Sequence, residues 1–151
     1  MVVIGSDKYA RYESLARVLG VLDRVKFLGF QRDPRDAYFA ADFLVHPTFY
    51  DPCSLVVLEA LACGLPVVTT QYNGASELLS PPADGLIVSD PHNARELAAA
   101  IAEMCDPAKL PARKTAAANS GRRWTFEDHY RQLLGVFEEV VARKRAAALA
   151  A

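Results

Sequence analysis

At 151 residues and 52% hydrophobic, with a net charge of -1, the chain has the size and composition of one globular domain, able to bury roughly two thirds of its unfolded surface. That balance argues against disorder and against a general polyanion binder, so no nucleic-acid partner is expected. No early apolar run resembles a signal peptide, and no stretch approaches the roughly 20 apolar residues of a membrane span. The expected location is therefore cytoplasmic, with peripheral contact at the inner face of a membrane left open.

Met1-Val2-Val3-Ile4-Gly5 is a short apolar run closed by glycine, the pattern of a strand entering a turn. Ser6-Asp7 then caps a helix from about Lys8 to Leu19, with Tyr12, Leu15, Ala16 and Leu19 at helical spacing, and Gly20 ends it. Val25 to Phe30 reads as a second strand and Arg35 to Ala40 as a short helix after Pro34. A buried strand, Phe43 to His46, leads to a polar loop and a helix from Leu55 to Cys63 that Gly64 and Pro66 stop.

Pro66 to Thr69 is β-branched and reads as a strand. Asn73-Gly74 signals a turn, Ala75 to Leu79 a short helix, and Gly85 to Val88 another strand. Leu97, Ala98, Ile101 and Met104 share a face of a helix from about Asn93 to Met104, which Pro107 and Pro111 break. A further helical stretch reaches about Asn119, and Thr125 caps a last helix from Phe126 to about Arg145. Arg143-Lys144-Arg145 reads as a solvated basic helix end, a membrane-surface role being the lesser reading.

Strands alternating with helices at this spacing imply an α/β, doubly wound, mainly parallel Rossmann-like sheet of about five strands, with helices on both faces and a long C-terminal helix. In such sheets ligands bind beyond the carboxyl ends of the strands, where the loops after Gly5, Leu28, Pro47 and Thr69 are expected to emerge. Cys53, Cys63 and Cys105 are odd in number with no Cys-x-x-Cys spacing, so buried thiols are expected, with neither a disulfide framework nor a metal site. His46, His92 and His129 are too scattered for a metal motif and read as packing or surface residues.

The informative stretch is His46 to Pro66. Its helix is apolar almost all round, and Glu59 is the one charge inside it. A carboxylate in such a helix implies either a structural ion pair or a place in a cleft where it binds hydroxyl groups. Ser54 is a natural N-cap, and the helix start behind it offers unpaired N–H groups and a positive dipole end suited to phosphate. At about 1.5 Å per residue, Glu59 lies less than roughly 10 Å further along. A ribose joined to a phosphate at the cap would reach it.

With Asp51 and Glu59 separated by seven residues, followed by Ala60-Leu61-Ala62-Cys63-Gly64-Leu65-Pro66-Val67-Val68, the stretch resembles glycosyltransferase family 4, retaining sugar transferases of GT-B architecture. Asp23 to Gly29 upstream, Asn73 to Leu78 and Asp84 to Val88 downstream extend the resemblance over nearly the whole chain. It implies that Glu59 holds the ribose of a nucleotide diphosphate sugar and that Asp51, the candidate catalytic residue, lies by the transferred sugar. It further implies that the N–H groups of Ser54, Leu55 and Val56, next to Cys53, face the diphosphate, and that Leu28, Gly29, Phe30 and Gln31 border the base. Gly29 and Gly74 would allow close approach of a ligand or serve as turn glycines. Transfer is expected to proceed with retention and without an essential metal. The Thr48 to Tyr50 loop with Asp51-Pro52 most resembles enzymes of lipopolysaccharide core or similar surface glycans.

Two departures stand out: the family usually has Glu where this chain has Asp51, and commonly Gly where it has Ser54. The chain also begins at the strand that should follow an Arg and a Lys that neutralise the diphosphate, and a whole acceptor-binding domain. The expectation is therefore a partial C-terminal, donor-binding domain over residues 1–145, inactive alone, with residues 146–151 a disordered tail or cloning residue. An edge exposed by such a truncation predicts self-association. The rival readings are a nucleotide-binding or assembly module without turnover and, less favoured, a GT-B epimerase or phosphorylase.

Overall fold

The structure, a computed structural model, describes residues 1–5 and 9–149. The expected cap Ser6-Asp7 and the start of the first helix at Lys8 lie outside the described residues. The chain divides into two compact units, residues 1–37 and 38–151.

In the first unit, β1 (Val2–Val3) pairs in parallel with β2 (Lys26–Phe27), Val2 opposite Lys26 and Val3 opposite Phe27. The intervening chain forms α1 (Ala10–Val18) and a 3-10 turn at Leu22–Arg24. Regular pairing at β2 covers only two residues of the expected Val25 to Phe30 strand. Gly29 then adopts a φ of 71°, and its carbonyl accepts from the Gly5 N–H at 3.2 Å, so the chain turns where a longer strand would continue.

α2 (Arg35–Ala40) spans the division between the units. In the second unit β3 (Leu44–His46), β4 (Val67–Thr70) and β5 (Gly85–Val88) form a parallel sheet in that order. All four β4 residues are buried, as the central position requires. β3 is only half-buried rather than buried, because it forms an edge of this sheet. Alternation along β4 sends Val67 into a cluster with Val57, Ala60 and Leu61 of α3 (Leu55–Ala62) and Ala117 of α5 (Leu110–Arg123). Val68 joins the opposite cluster with Met104, Leu97 and Ala100 of α4 (Ala94–Met104). Helices therefore cover both faces of this sheet, the doubly wound arrangement. The five expected strands are present and parallel, but their pairing divides into a two-stranded and a three-stranded sheet.

α3 ends in a Schellman motif. Gly64 has a φ of 74°, its N–H donates to the Leu61 carbonyl at 2.9 Å, and the Leu65 N–H donates to the Ala60 carbonyl at 2.8 Å. Pro111 does not break a helix; it occupies the first turn of α5, where its missing N–H has no partner to lose. α6 (Phe126–Leu149) runs past the expected end at Arg145, so residues 146–149 continue the helix instead of forming a tail. Its apolar side chains, among them Phe126, Tyr130 and Phe137, are exposed. No described helix is long and apolar enough to cross a membrane.

Among the described residues of the second unit, two charged side chains are fully or nearly fully buried. Asp84 accepts from the Ser80 N–H at 2.7 Å and from the Ser120 hydroxyl at 2.5 Å, joining the entry to β5 with the end of α5. Arg113 donates to the Pro82 and Glu103 carbonyls and pairs with the Glu103 carboxylate at 2.5 Å. Both satisfy the rule that buried polar groups are bonded.

Candidate functional site

The parallel pairing of β3 with β4, His46 opposite Thr69, places the loops after both strands on the same side of the sheet. These loops are joined through the backbone. The Asp51 N–H donates to the Tyr72 carbonyl at 3.1 Å, and the Gly74 N–H returns a bond to the Asp51 carbonyl at 2.8 Å. Gly74 is required by this contact: a Cβ there would lie 1.9 Å from the Pro52 carbonyl oxygen. The glycine thus serves the packing of one loop on the other.

Asn73 is fully buried between them. Its Oδ1 accepts from the N–H groups of Ala75 at 3.1 Å and Ser54 at 3.3 Å, while its Nδ2 donates to Thr69 Oγ1 at 3.0 Å. Thr69 and Thr70 donate in turn to the carbonyls of His46 and Thr48. Every polar atom of the Asn73 side chain is used in setting the loop geometry.

Asp51 is fixed on both carboxylate oxygens. Oδ1 accepts from the Cys53 N–H at 3.1 Å, an Asx turn, and Oδ2 accepts from the Ser54 hydroxyl at 2.8 Å. The Ser54 oxygen also lies 2.7 Å from His46 Nε2. Burial pushes the His46 imidazole below its ordinary pKa, with the Asp51 charge opposing this in part.

Ser54 does occupy the N-cap of α3, in an extended conformation, but its hydroxyl makes no capping bond, because it is turned towards Asp51 and His46. Its own N–H, expected to face an anion, is bonded to Asn73, and the neighbouring Cys53 N–H is bonded to Asp51. The N–H groups of Leu55 and Val56 open the helix, where no preceding turn supplies acceptors.

Glu59 is exposed, not buried. Val57, Ala60 and Leu61 form the packed face of α3, while Leu55, Glu59 and Ala62 lie on the other side at helical spacing. The apolar composition concealed this division, since Leu55 is apolar and 68% exposed. The Glu59 carboxylate accepts from the Tyr38 hydroxyl at 2.8 Å. Burial, then this bond, keeps the Tyr38 phenol protonated well above its usual range.

Residues 1–106 match the family described as glycosyl transferases group 1. The chain belongs to this family. The lipopolysaccharide glucosyltransferase WaaG of Escherichia coli (strain K12) is 34% identical over 64% of this chain and 26% of its own length. A D-inositol 3-phosphate glycosyltransferase of Acidothermus cellulolyticus is 30% identical over 98% of this chain and 35% of its own. Among solved structures, WaaG aligns with a TM-score of 0.70 at 30% identity, over 80% of this chain and 32% of that one. Anabaena Alr3699/HepE in complex with UDP and glucose gives 0.79 at 26% identity, over 91% and 40%. The chain spans about a third of the length of the curated relatives it matches. The fold is that of a C-terminal domain of a family 4-like GT-B glycosyltransferase.

Within this group 1 glycosyltransferase fold, the expected residues fall into two sets. Asp51, Cys53, Ser54, Leu55 and Val56 gather at the start of α3, with Glu59 on the same helix. Leu28, Gly29, Phe30 and Gln31 follow β2 in the other unit, where the Gln31 amide donates to the Leu28 carbonyl at 2.7 Å and Phe30 is 73% exposed. Sequence reasoning missed Tyr38, Asn73 and His46 as parts of the constellation. Asn73 was legible only as a turn residue, and His46 as a strand end. The expectation of buried thiols is also corrected: Cys53 and Cys105 are exposed and Cys63 is half-buried, because Cys53 lies in the loop and the other two at helix C-caps.

Proposed function

We propose that this chain is the donor-binding part of a retaining glycosyltransferase that transfers a hexose from a nucleotide diphosphate sugar to a glycan or glycolipid acceptor. The observation that carries the reading is the rigidly held Asp51 beside the open N–H groups of Leu55 and Val56, with Glu59 on the same helix. In it, those N–H groups and the α3 dipole stabilise the leaving diphosphate, Asp51 meets the sugar hydroxyls and Glu59 the ribose. Fixed dipoles act there without reorganising as charge develops on the leaving group. No essential metal is invoked. The likeness to WaaG, a lipopolysaccharide glucosyltransferase, supports a lipopolysaccharide or similar surface-glycan acceptor.

Calorimetric titration with UDP-glucose and GDP-mannose tests this. Binding of one donor, weakened at least about tenfold by Glu59→Ala, is expected for a lost charge-assisted bond. Binding indifferent to Glu59→Ala would remove Glu59 from the site. Binding without transfer, even with acceptor and a preceding domain supplied, would favour the module without turnover.

A further inference from the structure

Asp51 and Ser54, beside the start of α3, are bonded to each other, and the bond extends to a third residue. The direction of the chain of bonds follows from proton count. A serine hydroxyl carries one proton, and here it is donated to Asp51 Oδ2 at 2.8 Å. At 2.7 Å from His46 Nε2, the same oxygen has only lone pairs left, so the imidazole must be the donor. His46 is thereby held as the Nε2–H form, and His46 Nε2 and Asp51 Oδ2, themselves 4.0 Å apart, are linked through Ser54. This order differs from that of a nucleophilic serine, whose base accepts its proton.

The anchor of this relay is the sheet. His46 is the last residue of β3, its carbonyl accepts from Thr69 on β4, and its ring is half-buried beside the loop. Ser54 is held through its own N–H by buried Asn73. Resting on the sugar-binding role proposed above for Asp51, we infer that His46 and Ser54 are positioning residues that fix the short Asp51 side chain for the donor sugar. The hydroxyl does for an aspartate what a longer side chain would otherwise do by reach. Both carboxylate oxygens keep a second lone-pair direction for sugar hydroxyls, so holding the group does not consume its binding capacity.

The test compares wild type with Ser54→Gly, Asp51→Glu, the double variant Ser54→Gly/Asp51→Glu, and His46→Gln and His46→Leu. For UDP-glucose against UDP, or GDP-mannose against GDP, the affinity gained from the sugar should fall about tenfold in Ser54→Gly and His46→Leu, the size of one lost charge-assisted bond. It should return to within about threefold of wild type in the double variant, and His46→Gln, which keeps an N–H donor, should retain it, since opposing partners are then restored. A double variant no better than Ser54→Gly would overturn the proposal. Nitrogen-15 NMR of the imidazole gives a readout that needs no nucleotide. The proposal expects a single Nε2–H tautomer in wild type and a mixed population in Ser54→Gly; an Nδ1–H or mixed wild type refutes it. A chain that binds no donor yet shows the Nε2–H form and its loss in Ser54→Gly would contradict the proposed function and leave the relay standing.

Discussion

The two carboxylates that the sequence separates by seven intervening residues live under opposite conditions. Asp51 is tied at both side-chain oxygens, at its own N–H and at its carbonyl, to Cys53 of its own loop, the α3 cap and the turn after β4. Glu59 stands on the exposed side of α3 with one bond from Tyr38. The first is set by the fold before any ligand arrives, whereas the second keeps rotamer freedom that binding must remove. Within one proposed site, geometry at the sugar end is built by the chain and geometry at the ribose end is completed on binding.

The largest expected effect breaks the tied end outright. Gly74→Ala forces a methyl into the Pro52 carbonyl, so thermal unfolding should reveal a loss of about 3 kcal/mol or more, with donor binding abolished. Next, Asp51→Ala should cost about 1–3 kcal/mol in denaturant unfolding, because it strips acceptors from the Ser54 hydroxyl and the Cys53 N–H. Glu59→Ala should change stability by no more than about 0.5 kcal/mol, as an exposed residue with one tyrosine partner does, while still weakening donor binding. Equal losses of stability for the two alanine variants would erase the contrast.

The smallest effect is one of pH. His46 titrates below its ordinary value of 6.5 in the folded chain because burial disfavours its charge. The unfolded chain therefore binds a proton first as pH falls, and the stability contribution, complete above about 6.5, is lost as pH drops towards the folded value. Melting temperatures in His46→Gln should lack this part of the acid dependence. A wild-type and variant pair with parallel profiles between pH 7 and pH 5 would show that His46 is not perturbed.

The alternation of elements was legible because each rests on short-range chemistry. β-Branched Val67-Val68-Thr69-Thr70 forms the central strand, Gly64 has the φ that ends α3, and Asn73 caps a 3-10 turn at Gly74–Leu78. Long-range relations were not. The division into two sheets depends on which strand edges meet, and β2 was cut short by the turn at Gly29. The reading of Glu59 as a hydroxyl-binding group rests on its isolation among apolar neighbours, yet its exposure reflects which side of α3 the core covers. Ser54 is legible at its cap by local preference, but its hydroxyl donates to Asp51 in the loop and accepts from His46 at the end of β3, eight residues earlier in the chain.

The family match ends at residue 106, but the packing does not. Ala117 of α5 is fully buried in the same cluster as Leu61 and Val67, and Ser120 supplies one of the bonds to buried Asp84. A protein cut at the limit of that match would leave that apolar wall wet and that carboxylate short of a donor. The stretch that carries the family match and the stretch that must be synthesised as a folding unit therefore have different borders.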